Sequence, residues 1–281
     1  MQNTVQTSES VTAGTPAKSA NAGHWSWETL TDDKPHLVFV MSIGLGLSIW
    51  EAAGRLLSGV LLAPPSDVLV HFAAKIADGS LPVAFASSIQ HMALGYGLAI
   101  LVALPVGIAL GRSPSFATAC EPIINAVYAI PPVAFIPFLI VWFGLYFEGR
   151  VALVFLMCFF EILINVQQGV RNVDEGLLEA AESLEVRGLK LYHSVVLPAA
   201  LPFIFTGLRV GIGRAVNAMI TAELFFAAVN VGKMLKDSGN AFDTAAMFGI
   251  ILSLSIFGLV CQEAVQLAER RLLPWHHREA A

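Results

Sequence analysis

The fold turns on residues 88–111, SIQHMALGYGLAILVALPVGIALG, a run that is apolar almost from end to end. It exceeds the about 20 residues that a helix needs to cross the hydrocarbon of a bilayer. It runs continuously apolar instead of alternating, which suits a helix and not a strand of a membrane barrel. Lipid offers the backbone no partners, so a spanning segment has to satisfy its own amides, as a helix does. Five further blocks read the same way, at roughly 37–62, 122–147, 149–169, 197–227 and 244–267. The expected fold is all-α: a polytopic membrane protein of about six transmembrane helices.

Composition agrees. The 281 residues are 56% hydrophobic and 13% charged, with mean hydropathy +0.70, whereas soluble domains average about 45–50% apolar and about 25% charged. Disordered, collagen-like and disulfide-rich classes are excluded as descriptions of the whole chain. The net charge of −5 gives no basic excess for nucleic acid. Cys120, Cys158 and Cys261 lie in or beside apolar segments and read as small packing residues. Residues 1–35 are rich in Ser, Thr, Ala, Asn and Gln, a composition that predicts a disordered polar tail without a short cleavable signal. A short tail is expected again at 276–281.

Block 122–147 is the least regular, with Pro122, Pro131, Pro132 and Pro137. Proline inside a helix removes a hydrogen bond and kinks it. Two readings follow, a kinked packing helix or a bent helix beside a transport pathway. With six spans both termini share a side. If that side is the cytoplasm, nine Lys and Arg fall inside (Lys18, Lys34, Arg112, Arg171, Arg187, Lys190, Arg270, Arg271, Arg278) and four outside (Lys75, Arg150, Lys233, Lys236). The positive-inside rule therefore predicts cytoplasmic termini. A five-span layout follows if block three or four does not cross.

Phosphate-binding and hydrolase signatures are missing: there is no GxxxxGK[ST], no HExxH, no GxSxG and no Cys/His metal spacing. His276 and His277 are adjacent, and neighbours on a helix do not share a face, so they are a poor metal pair. No catalytic residue, metal or cofactor is expected.

The longest connection on the expected cytoplasmic side is about 171–196. Leu177, Leu178, Ala181 and Leu184 recur at helical spacing, with Glu179 and Glu182 on or near another face. An amphipathic helix of about two to three turns is expected outside the membrane. It is acidic, whereas helices that seek lipid surfaces are usually rich in Lys and Arg, so it suits a protein partner better.

Glu179, Ala180 and Ala181, followed at fixed spacing by Val195, Leu197 and Pro198, resemble the EAA loop of binding-protein-dependent ABC transporter permeases. That pattern reads EAA, three residues, Gly, nine residues, Ile, one residue, Leu-Pro. Glu185 stands at the glycine position, and Gly188 is expected to take the turn instead. Ala63-Pro64-Pro65-Ser66, Ile130-Pro131-Pro132, Trp142-Phe143-Gly144, Leu197-Pro198-Ala199-Ala200-Leu201-Pro202, Thr206-Gly207-Leu208-Arg209, and Ala222-Glu223 with Val231-Gly232 are similar to the nitrate, sulfonate and taurine subgroup. Glu161 sits where that subgroup tends to have proline.

The resemblance covers about 36–275 and implies a type I importer-like permease in the inner (plasma) membrane of a bacterium. It implies a second permease copy as a homodimer, separate cytoplasmic ABC ATPase subunits docked on the loop bearing Glu179, and a periplasmic substrate-binding protein. The implied cargo is a small anionic nutrient such as a sulfonate, taurine or nitrate.

Four charges inside the spans are candidates for the pathway: Glu161, Arg209, Arg214 and Glu223. A lone carboxylate in a span costs several kcal/mol on the order of insertion scales unless hydrated, paired or protonated. Glu161 therefore needs a partner, Arg209 or Arg214, or a role in transport. Arg209 and Arg214 are five apart, about 140° around a helix, and are not expected to point the same way. Glu223 is placed to pair locally near the end of its block. Glu51 and Arg55 share a face and can pair. Gly107-xxx-Gly111 and Gly207-xxx-Gly211 allow close helix approach. Two other functions fit the same spans: a proton-coupled secondary transporter using Glu161, and an assembly subunit that moves nothing.

Overall fold

The computed structural model describes residues 35–273 except 58 and 60. Residues 1–34 and 274–281, which hold most of the expected tails with His276 and His277, lie outside the described residues. The chain divides into two units at residues 49 and 50. The first contains the start of α1 (Pro35–Leu56), whose described side chains up to Ile49 are almost all exposed.

The second unit carries the rest: α2 (Pro65–Ala77), α3 (Ser80–Arg112), α4 (Pro114–Tyr128), α5 (Ile136–Phe143), α6 (Phe147–Arg171), α7 (Glu175–Ser183), α8 (Leu189–Phe225), α9 (Asn230–Asn240) and α10 (Thr244–Leu272). Among the described residues, five helices (α1, α3, α6, α8 and α10) are long and apolar enough to cross a membrane, and α4 with the α5 segment forms a sixth candidate bent by 88°. The bend falls at Pro131 and Pro132, where two amide donors are missing and the chain turns extended (Pro131 ψ 124°) before a short 3-10 turn. Block 122–147 is therefore two helices at a near right angle. The spans α3 and α6 overrun their apolar blocks at both ends and α10 at its C-terminal end, α3 starting at Ser80 and α10 reaching Leu272, because a helix continues past the lipid into polar surroundings that hydropathy does not mark.

The core is built on α6, clasped between α3 and α8. On α3 a residue without bulk recurs every fourth position, Gly95, Ala99, Ala103, Gly107 and Gly111, which keeps all five on one face. A methyl group added at Gly95, Gly107 or Gly111 would lie 2.6, 2.8 and 2.7 Å from the Cβ of Val154, Val166 and Val170 of α6. On the other side, Gly207 and Gly211 of α8 abut Asn165 and Ile162. Val154, Cys158, Ile162, Leu163 and Val166 are fully buried as a result. Lipid tails are as apolar as leucine, so it is this close backbone approach, through dispersion, that holds such helices together.

Glu51 and Arg55 pair as expected, Nε to Oε1 at 2.7 Å. Glu51 also accepts from the Ser66 amide at 3.1 Å and the Ser66 hydroxyl at 2.9 Å, so it caps α2. The Ala63-Pro64-Pro65-Ser66 stretch explains itself here. Pro65 occupies the first turn of α2, where no amide is needed, and Pro64 lies against Gly54, where any side chain would collide.

Candidate functional site

The largest cavity described is a groove of about 1130 Å³ between α8 and α10. Arg209, Gly213, Arg214, Asn217 and Thr221 line it from α8, and Ser255, Gly258 and Gln262 from α10, among aliphatic side chains. Both arginines line it, although they stand about 140° apart on α8, because the groove takes in a wide arc of that helix.

Each arginine meets a carboxylate from another helix. Arg214 Nε donates to Glu161 Oε1 of α6 at 2.8 Å. Arg209 Nη2 lies 3.6 Å from Glu269 Oε2 near the end of α10. Of the two partners proposed for Glu161, the structure selects Arg214. Glu269 was not singled out in the sequence, since it falls beyond the last apolar block. The arginine side chains remain 51% and 39% exposed while Glu161 and Glu269 are 14% and 9% exposed, so the groove presents the cationic half of each pair. Arg214 also borders a second cavity of about 190 Å³, tucked under the α4–α5 bend with Tyr128, Pro132, Met157, Phe160 and Glu161.

Glu223 lies elsewhere. It is fully buried and is not among the residues lining the groove. Its Oε2 accepts the Gly232 amide at 2.8 Å, and its Oε1 meets the Ser88 hydroxyl at 2.5 Å and the Asn230 side-chain amide at 3.0 Å. His91 Nε2 is 3.9 Å away. The carboxylate thus ties α3, α8 and the start of α9 together. Backbone chemistry makes this fit: Asn230 adopts φ 48°, a conformation asparagine tolerates, and a Cβ at Gly232 would come within 2.5 Å of the Glu223 Cβ. The two fragments Ala222-Glu223 and Val231-Gly232 are one contact in space. Ser88 and His91 were not legible as its partners, because nothing in a linear pattern joins positions so far apart, and Asn230 was not because the chain turns between it and Glu223.

At the opposite end of α8 is the acidic helix α7. Asp174 caps it, accepting from the Leu177 amide at 3.1 Å, and Glu175 complements the positive end of the helix dipole. Its C-terminus is closed by the Glu185 amide donating to Glu182 O and the Val186 amide to Ala181 O, both at 2.9 Å. That double bond is a Schellman closure, which requires a left-handed residue. Glu185 supplies it with φ 58°. The turn expected at Gly188 is therefore made at Glu185, the position where the resembled pattern has glycine. Gly188 makes a second bend, φ 59°, before α8. The first turns of α8 widen to a π-turn over Tyr192–Val196, ahead of Leu197 and Pro198, whose ring nitrogen cannot donate to the preceding turn.

The apolar face expected of α7 is split. Ala181 is buried and Leu178 packs on the core, while Leu177 and Leu184 are 51% and 77% exposed. Glu179, Ala180, Glu182 and Glu185 are exposed as well. An outward surface of leucine and carboxylate results.

Comparison with known proteins places these features in a family. Residues 95–274 match the family described as binding-protein-dependent transport system inner membrane component. The chain is 29% identical over 259 residues to the taurine transport system permease protein TauC of Escherichia coli (strain K12), covering 90% of this chain and 93% of that one. It is 32% identical over 233 residues to the putative aliphatic sulfonates transport permease protein SsuC of Bacillus subtilis (strain 168), covering 82% and 84%. It is 29% identical over 189 residues to the nitrate import permease protein NrtB of Leptolyngbya laminosa, covering 67% and 68%. In fold it is similar to a chain of the MetNI methionine ABC transporter in an inward-facing conformation, with TM-score 0.59 at 18% identity, covering 70% of this chain and 98% of that one. The chain belongs to the binding-protein-dependent transport system inner membrane component family, and is a multi-pass permease subunit of an ABC importer.

Proposed function

We propose that this chain forms the membrane path of an ATP-driven importer for a small anionic nutrient such as a sulfonate, taurine or nitrate. Two copies pair. Two cytoplasmic ATPase subunits dock on the α7 surfaces, and a periplasmic binding protein delivers cargo at the opposite end of α8. Both termini lie in the cytoplasm.

The observation that carries this reading is α7 itself. It is a capped helix outside the spans, with Glu179, Glu182, Leu177 and Leu184 facing outward, joined to α8 by only residues 184–188. A pull on α7 is therefore applied directly to the helix that carries Arg209 and Arg214. Closing of an ATPase pair would shift α8 as a rigid body and change the packing around the groove, a two-state change. The printed names of the relatives, taurine, aliphatic sulfonates and nitrate, support a small sulfonate-like or nitrate-like cargo. Arginines in the groove suit such oxyanions, since a guanidinium presents several N–H donors to them.

The test is co-expression with candidate ATPase subunits and capture from a detergent extract, wild type beside Glu179→Lys. Wild type retains its ATPase. Glu179→Lys loses it while melting at the same temperature, because an exposed helix position scarcely affects stability. Failure of wild type to retain any ATPase overturns the docking role of α7.

A further inference from the structure

Arg214 borders both cavities described, the α8–α10 groove and the smaller one beneath the α4–α5 bend. Glu161 lines only the smaller one and meets Arg214 at Nε, with the arginine left half exposed. Arg209, about 7.5 Å away along the α8 axis, also lies beside a carboxylate, that of Glu269 at 3.6 Å, but borders the groove alone and not the smaller cavity. A bare guanidinium in a low-dielectric groove would hold an anion tightly and release it slowly. One already paired to a carboxylate attracts an anion only as the carboxylate gives way. Carboxylate, sulfonate and nitrate offer the same thing to an arginine, oxygens that accept N–H donors.

We propose that Arg214 is an anion-binding station with Glu161 as its built-in competitor. A small oxyanion takes the place of Glu161 on the guanidinium, and the returning carboxylate displaces it toward the other cavity. The pairs keep the groove neutral at rest, so cargo is exchanged and not trapped. This rests on the anion-import reading. It assigns Glu161 a positioning role, which a merely structural ion pair would not have.

The test uses the full chain in membranes without an ATPase partner. Met157, one turn before Glu161 on α6, lines the shared cavity and is replaced as Met157→Cys. Cys120 and Cys261 are changed to alanine, and the fully buried Cys158 is kept. The rates of modification by the anionic sulfonatoethyl and the cationic trimethylammonioethyl methanethiosulfonates are compared. Glu161→Gln bares Arg214 and raises the anionic-to-cationic ratio by about tenfold, and Arg214→Gln lowers it by about as much. Arg214→Lys keeps the parent ratio. Methanesulfonate slows the anionic reagent in Glu161→Gln and not in Arg214→Gln. A structural pair shifts the ratio with the local charge in the same way but leaves no site to occupy, so methanesulfonate then protects nothing in Glu161→Gln, and that result overturns the proposal. Labelling needs no ATPase, so failed ATPase capture beside the expected labelling would count against the docking reading alone.

Discussion

Ser88 of α3 and Glu223 of α8, separated by 135 positions, meet at 2.5 Å in a site that excludes solvent. The same carboxylate receives the Gly232 amide and the Asn230 side chain from the start of α9. Three helices thereby share one buried acceptor, and a connection outside the spans is pinned to their interior.

Glu223→Ala removes that acceptor from the Gly232 amide and the Asn230 side chain, while the Ser88 hydroxyl keeps the Ala84 carbonyl. The loss is expected to be about 2–4 kcal/mol, at about 1–3 kcal/mol for a buried donor left unsatisfied. Ser88→Ala leaves the other two bonds and costs about 1–2 kcal/mol. Thermal melting in detergent measures both, and hydrogen exchange over 226–243 shows where the loosening occurs. A Glu223→Ala protein that melts like wild type would remove the carboxylate from any structural account.

Glu185 holds a left-handed backbone at the C-terminus of α7. For a residue with a side chain this costs about 1–2 kcal/mol relative to the right-handed form. Glu185→Gly relieves the strain but gives the unfolded chain more freedom, so the net gain is about 0.5–1 kcal/mol. Glu185→Val, with a branched Cβ, moves the other way. Exchange protection of the α7 amides reads the difference directly, and faster exchange in the glycine variant would contradict the Schellman assignment.

Gly97 and Gly107 lie on the same helix with opposite surroundings. A Cβ at Gly97 has nothing within 4 Å, whereas one at Gly107 collides with Val166 at 2.8 Å. Gly107→Val is expected to cost about 3 kcal/mol or more by forcing α3 off α6. Gly97→Val should fold with wild-type stability, its helix propensity slightly improved. Folded yield by size-exclusion chromatography separates them. Equal yields would mean that the α3–α6 contact is not the close one described.

Much of the architecture was legible because lipid leaves so few choices. A continuous apolar run such as 88–111 has to be a helix, and small residues at every fourth position have to face another backbone. The pair Glu51–Arg55 was legible too, since helical spacing alone brings those residues together. The α7 helix announced itself by spacing and acidity. Its two outward leucines did not, because periodicity identifies an apolar face without saying which part a neighbour covers.

What the sequence by itself determined is therefore local: which segments are helical, that the proline-rich block 122–147 is irregular, and which residues lie on one face. All of that follows from backbone hydrogen bonding and a period of 3.6 residues. Only the tertiary structure decided that Glu161 goes to Arg214 and Arg209 to Glu269, that both arginines border one groove, and that Glu223 is an anchor for Ser88, Asn230 and Gly232. Those partnerships depend on the rotation of each helix about its axis and on its depth beside its neighbours. Both are set by the summed fit of glycine against valine along whole interfaces, which no single stretch of sequence contains.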